Sequence, residues 1–268
     1  MRKTGNNMRV SILQTDINWG EPSVNQLNAE RAIDGLPQTD LIVLPETWST
    51  GFAVNPEGIA ENEGKDIACD SARWMKRIAQ ERNIAICGSI SVRTTENTYA
   101  NRMYFVYPDG TVKTYDKRHL FTPGGENLRY TAGKERCIVE YSGTRFLLQI
   151  CYDLRFPVWT RNKGDYDAII YVANWPKSRH NVWTTLLKAR AIENQCYVIG
   201  VNRVGEDKSC KYAGGSIIVN PYGKTVCQCE DNVKGCATGN IEMLMLEKFR
   251  ESFPVLDDAD TFSINAGL

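Results

Sequence analysis

Apolar residues recur along this chain in two rhythms. Short continuous apolar runs bounded by polar residues occur at 40–46 (DLIVLPE), 84–92 (IAICGSISV), 144–153 (TRFLLQICYD), 167–175 (DAIIYVANW) and 196–205 (CYVIGVNRVG). Runs of that length, flanked by turn residues, predict strands buried on both faces. A further strand is predicted over 9–16. Helical spacing marks the stretches between them. In 22–36, Val24, Leu27, Ala32 and Ile33 recur at that spacing, with Pro22 suited to the first turn and Gly35 to the end. Stretches 68–83 and 181–195 predict two more helices, and a helix or turn is expected near 157–164. Turn signals at Pro108-Asp109-Gly110, Ser142-Gly143 and Pro221-Tyr222-Gly223 predict three hairpins. Alternating strands and helices predict an α/β fold, with helices outside two stacked sheets. No linker or low-complexity tract divides the chain, so 1–268 is expected to be a single domain. Residues 1–7 are expected to form a flexible tail. The stretch from about 247 to 268 carries little core pattern and is expected to be a C-terminal extension at a subunit interface.

Composition narrows the field of partners. The chain has 268 residues, 42% hydrophobic, enough to bury a sizeable core. Its 32 basic residues balance 32 acidic ones, so no net charge draws it to nucleic acid or to an anionic membrane. A small-molecule partner is the expectation. No apolar stretch long enough for a signal peptide precedes Thr15-Asp16, and none approaches a bilayer span, which predicts a cytoplasmic protein. Nine cysteines in no disulfide-like spacing fit a reducing compartment. Cys210, Cys227, Cys229 and Cys236 invite a zinc reading. One intervening residue is poor chelate spacing, though, and histidine is nearly absent, so no metal is expected.

Three segments place a reactive side chain just after an apolar run: LIVLPETW with Glu46, KTYDKRHLF with Lys117, and LLQICYDLRFP with Cys151. The carboxyl ends of strands are where α/β folds assemble sites from distant sequence. Pro157 suits a helix start beyond Cys151, so a sharp turn there would expose the sulfur and aim backbone N–H groups at anything bonded to it. Taken singly, each residue also has an ordinary explanation. Cys151 could be a buried core thiol, Glu46 a solvated loop acid, Lys117 a surface cation, and Glu126 a loop acid beside two glycines.

The ordered set resembles the nitrilase superfamily of carbon–nitrogen hydrolases. VSILQTDINWG, LIVLPETWSTGF, YDKRHLFTPGGEN, LQICYDLRFP, ANWPKSR and KARAIENQCYVIGVNRVG carry the resemblance, which extends from Arg9 to about Ile241. CYDLRFP, NWPKSR and RAIENQCYVIGVNRVG look most like bacterial omega-amidases, which hydrolyse the terminal amide of short 2-oxo dicarboxylic acid monoamides. The resemblance implies a four-layer αββα sandwich that forms a homodimer or a larger homo-oligomer. It also implies Cys151 as nucleophile, Glu46 as base, Lys117 as the cation for the carbonyl oxygen, and Glu126 as a fourth site residue. The backbone N–H of Tyr152 would assist Lys117, and a lysine beside the thiol would favour thiolate. No cofactor is required. A carboxylate-bearing substrate would need a cation, for which Arg155, Arg179 and Arg203 are candidates, with Phe52 and Trp175 as walls. Arg155 could instead pair with Asp153. Nitrile or carbamoyl hydrolysis on the same scaffold stays open, as does a catalytically silent dimeric binding protein.

Overall fold

The computed structural model describes residues 7–64 and 69–264. In chain order, the first half comprises strand β1 (Asn7–Gln14), helix α1 (Pro22–Asp34), β2 (Leu41–Val43), β3 (Glu61–Asn62), helix α2 (Asp70–Arg82), β4 (Ala85–Arg93), β5 (Tyr99–Val106) and β6 (Val112–Asp116). The second half comprises β7 (Ile138–Tyr141), β8 (Thr144–Ile150), helix α3 (Pro157–Thr160), β9 (Ala168–Ala173), helix α4 (His180–Glu193), β10 (Tyr197–Asn202), β11 (Val204–Glu206), β12 (Lys211–Ala213), β13 (Ile217–Val219) and β14 (Thr225–Gln228). The chain then returns through β15 (Gly235–Glu242) to a last helix, α5 (Met243–Ser252).

The two main sheets share one pairing pattern. In the first, order β15-β1-β2-β4-β5-β6, the central strands β1, β2 and β4 run parallel and the flanking pairs are antiparallel, with β3 joined to the end of β4. In the second, order β7-β8-β9-β10-β13-β14, β8, β9 and β10 are the parallel centre between antiparallel flanks. Their inner faces meet in an apolar core that includes Ile12, Val43, Phe105, Phe146, Ile170 and Ile199. Helices α1 and α2 cover the outer face of the first sheet through Ala29, Ile33, Met75 and Ile78. Helix α4 covers the second through Trp183, Leu187 and Ala191. The architecture is therefore a four-layer αββα sandwich. Strand tips that carry Glu46 and Cys151 lie at the carboxyl ends of parallel strands in opposite sheets.

Several expectations are corrected. Val24 and Leu27 face solvent, 42% and 50% exposed, and the buried stripe of α1 is Asn25, Ala29 and Ile33. Asn25 sets that rotation, because its amide donates to the backbone oxygens of Asn18 and Ser49. Strand β15 was not foreseen, since GCATGNIE is a half-exposed edge with no apolar alternation. Helix α5 runs on to Ser252, so the first residues of the expected C-terminal extension are helical. Leu246 is buried, and the Arg250 guanidinium bonds the Asp167 carboxylate and the backbone oxygens of Tyr166 and Gln195. The tail expected over 1–7 falls outside the described residues, apart from Asn7, which opens β1. All nine cysteines are free. Among the described residues no helix is long and apolar enough to cross a membrane.

Candidate active site

The chain folds so that three remote strand tips share one cavity. Glu46 lies three residues beyond β2, Lys117 directly follows β6, and Cys151 directly follows β8. Lys117 is the hub: its Nζ stands 3.0 Å from Glu46 Oε1 and 2.9 Å from Glu126 Oε2, with all three side chains buried. Each carboxylate is also held from elsewhere. Glu46 Oε1 accepts from Asn101 Nδ2 at 2.8 Å, and Oε2 accepts the backbone N–H of Asn174 at 2.7 Å. The Asn174 amide donates further to the Glu46 backbone oxygen and the Thr47 hydroxyl, which clamps the tip of β9 to the segment after β2. Glu126 accepts the backbone N–H of Phe121.

The charges account for the protonation states. Burial works against the Lys117 ammonium, but Glu126 and Glu46 outweigh it and hold its pKa well above the usual lysine range. Burial pushes Glu126 above the usual carboxylate range, Lys117 restrains it and Glu46 adds to the rise. Burial also pushes the Cys151 thiol well above its ordinary range; Glu46 adds to this, and Lys117 opposes it without prevailing. Lys117 acts in the expected direction, towards thiolate, but burial first and Glu46 second outweigh it. At rest the sulfur is a neutral thiol beside a proton acceptor.

Cys151 occupies the left-handed region at φ 45°, where a β-carbon is strained. Asp153 holds the turn in that shape. Its Oδ2 accepts the backbone N–H of Ile150 at 3.0 Å and the Tyr115 hydroxyl at 2.8 Å, and its Oδ1 accepts the backbone N–H of His119 at 2.9 Å. Trp159 Nε1 donates to the same Tyr115 oxygen, and the His119 ring stacks on Phe156 with centroids 3.9 Å apart. The lysine segment and the cysteine turn are thus tied together through one buried carboxylate. The proposed Arg155–Asp153 ion pair does not form, because Asp153 is already saturated by these donors.

The cavity has a volume of about 310 Å³ and is lined by Glu46, Lys117 and Cys151 together with Phe52, Phe121, Tyr152, Asn174, Trp175, Arg155 and Arg179. Arg203 is absent from that wall. It is fully buried, paired with Asp16 at 3.0 Å and Asp207 at 3.8 Å and stacked on the Tyr212 ring, so its candidacy as a substrate-binding residue is withdrawn. Cys210 lines the cavity beside Ser209 and Tyr212, whereas Cys227 and Cys236 lie on β14 and β15.

Known proteins with this sequence and shape agree on the lineage. Residues 9–251 match the family described as carbon-nitrogen hydrolase. The chain belongs to the carbon–nitrogen hydrolase family. It is 43% identical to a protein named omega-amidase YafV from Escherichia coli K12 over 258 residues, covering 96% of this chain and 98% of that protein. It is 36% identical to a 2-oxoglutaramate amidase of Bacillus subtilis strain 168, covering 93% and 96% of the two chains. A solved structure from Xanthomonas campestris, described as a CN-hydrolase superfamily protein with an arsenic adduct in the active site, superposes with a TM-score of 0.92. That structure is 38% identical and covers 97% of this chain and 100% of its own.

Within this family member, three cavity-supporting residues escaped the sequence reading, Asn101, Asn174 and Tyr115, and Asp153 entered it only as a partner for Arg155. Asn174 carried a usable signal, since it follows β9 directly as Cys151 follows β8. Asn101 and Tyr115 lie within strands β5 and β6, where a polar tip reads as an ordinary half-buried position.

Proposed function

We propose that this protein is a thiol-dependent omega-amidase that releases ammonia from the terminal amide of a small acid such as 2-oxoglutaramate or 2-oxosuccinamate. The observation that carries the reading is Lys117, bridged between two buried carboxylates in the cavity that Cys151 lines. Cys151 Sγ attacks the amide carbon while its proton passes to Glu46. The oxyanion so formed takes a hydrogen bond from the Tyr152 backbone N–H and one from Lys117 Nζ, which turns to it an N–H that at rest is shared between the two oxygens of Glu126. Collapse breaks the C–N bond as Glu46 returns the proton to nitrogen, and ammonia leaves. A thioester on Cys151 remains. Water then adds to that carbon, giving a proton to Glu46. The C–S bond breaks, the acid departs, and the sulfur recovers its proton.

The neutral resting thiol fits this sequence, because proton transfer and C–S bond formation then occur together and need no preformed thiolate. Glu126 serves as a positioning residue that fixes the Lys117 ammonium. Phe52, whose ring lies 5.4 Å from Lys117 Nζ, and Trp175 wall the cavity against water. The names of the relatives support the omega-amide as substrate, and the arsenic adduct of the Xanthomonas protein suits a site built around a thiol. The nine free cysteines fit work in a reducing cytoplasm, and the family resemblance supports a homodimer or larger homo-oligomer.

An ammonia-release screen over 2-oxoglutaramate, 2-oxosuccinamate, glutamine, asparagine, aliphatic amides, nitriles and ureido acids tests the assignment. The oxo-acid amides are expected to give the highest kcat/KM. A nitrile, a ureido acid or a simple aliphatic amide ahead of them by a wide margin defeats it.

A further inference from the structure

The two oxygens of the Glu46 carboxylate stand in different surroundings. Each oxygen of an ionised carboxylate offers two lone pairs. Oε1 has both engaged, by Lys117 Nζ at 3.0 Å and by Asn101 Nδ2 at 2.8 Å. Oε2 has one close donor, the backbone N–H of Asn174 at 2.7 Å. The Asn174 side-chain amide reaches Oε2 only at 3.4 Å, because it spends its donors on the Glu46 backbone oxygen and the Thr47 hydroxyl, both at 2.9 Å. A proton placed on Oε1 would have to displace Asn101 or Lys117. One placed on Oε2 leaves the close bonds of the carboxylate intact.

Asn101 sets this asymmetry from outside the cavity. It lies in β5, buried and absent from the cavity wall. Its backbone oxygen accepts the Lys117 N–H at 3.0 Å, and its Nδ2 extends to Glu126 Oε1 at 3.4 Å as well as to Glu46. Among the described residues its Oδ1 has no hydrogen-bond partner, so the amide is oriented through its donor end, against the two carboxylates. One ammonium faces two buried carboxylates here, and a neutral donor between them eases their confinement. We propose that Asn101 is a positioning residue for the base: with Lys117 it occupies Oε1 of Glu46, so that Oε2 takes the Cys151 proton and returns it to the leaving nitrogen. The proton reaches Oε2 as the Sγ–H bond breaks and the Sγ–C bond forms. It passes from Oε2 to nitrogen as the C–N bond breaks and ammonia departs. Asn101 and Lys117 hold Oε1 through both transfers, so the base needs no rearrangement between them. The second transfer rests on the amidase reading, whereas the first can be followed without turnover.

Asn101→Leu and Asn101→Asp test the assignment. Leucine removes the donor and is expected to lower kcat for 2-oxoglutaramate by about tenfold to a hundredfold, with KM little changed. Aspartate is nearly isosteric but donates only when its carboxyl carries a proton, so its deficit relative to wild type should shrink between about pH 8 and about pH 5.5. The leucine deficit should not shrink over that range. Alkylation of Cys151 by iodoacetamide reports the first transfer alone. Leucine should slow it by a similar factor, and aspartate should show the same recovery at low pH. Unchanged kcat and alkylation in Asn101→Leu, a loss carried by KM alone, or parallel pH profiles for the two variants would overturn the assignment. Melting transitions lost in both variants would also overturn it, by making Asn101 a structural residue. If the wild type hydrolyses no amide yet alkylation follows the expected pattern, the amidase reading falls and the role of Asn101 stands.

Discussion

Replacing Cys151 with alanine is expected to abolish ammonia release, by on the order of 10⁵-fold or more, while leaving the fold in place. The loss is large because no other group in the cavity is placed to form the thioester. Glu46 is engaged by Lys117, Asn101 and Asn174, and Cys210 reaches the cavity wall from the segment after β11, whereas Cys151 sits on the strand-tip turn that Asp153 fixes. The fold survives because alanine keeps the β-carbon, and the bonds that hold the turn belong to Asp153 rather than to the sulfur. Serine should fare little better, since the hydroxyl is far less acidic than the thiol that Glu46 must deprotonate. Ammonia assay together with thermal melting checks both halves. Turnover above a few per cent of wild type, or a collapsed melting transition, would contradict the assignment.

Lys117→Met is expected to cost both activity and about 3–5 kcal/mol of stability. Removing the ammonium leaves Glu46 and Glu126 facing one another in a buried site, which is the costly half of a broken ion pair. The penalty should depend on pH in a defined direction. In the native protein burial and Glu46 already raise the Glu126 pKa, with Lys117 restraining the rise, and the variant loses that restraint. A carboxyl whose folded pKa lies above its unfolded value binds a proton more readily when folded. Its stabilising effect is complete at low pH and disappears as pH rises through the folded value. Denaturant melts should therefore show a larger deficit relative to wild type at pH 8 than at pH 5. A deficit independent of pH would mean that the two carboxylates are not thrown together by the loss of Lys117.

How much of this was legible in the sequence depended on where each residue's partners lie. Glu46 and Cys151 were visible because each follows an apolar run, and that local pattern is also what aims them at the edge of the sheets; Lys117 follows the polar strand VKTYD and was visible through the family resemblance of its segment. The stacked sheets followed from the doubly buried runs at 40–46, 144–153 and 167–175. Strand β15 was invisible because its stability comes from pairing with β1, some 220 residues earlier in the chain, rather than from its own alternation. Asp153 was misassigned for a similar reason. Arg155 is its near neighbour in sequence, whereas its actual partners, Tyr115 and His119, arrive from another sheet. Arg203 looked like a site residue because it follows a strand, as the others do. Of its companions, Asp207 lies only four residues on, but Asp16 comes from the far end of the chain and meets it only in three dimensions. The left-handed backbone at Cys151 also had no sequence signature, since glycine or asparagine would be the usual occupant.

Rapid-quench mass spectrometry with 2-oxoglutaramate tests the central claim most directly. A transient adduct equal to the substrate less ammonia should map to the peptide carrying Cys151, and it should form and decay at rates compatible with turnover. Steady turnover with no such adduct, or an adduct on Cys210 instead, would contradict the account.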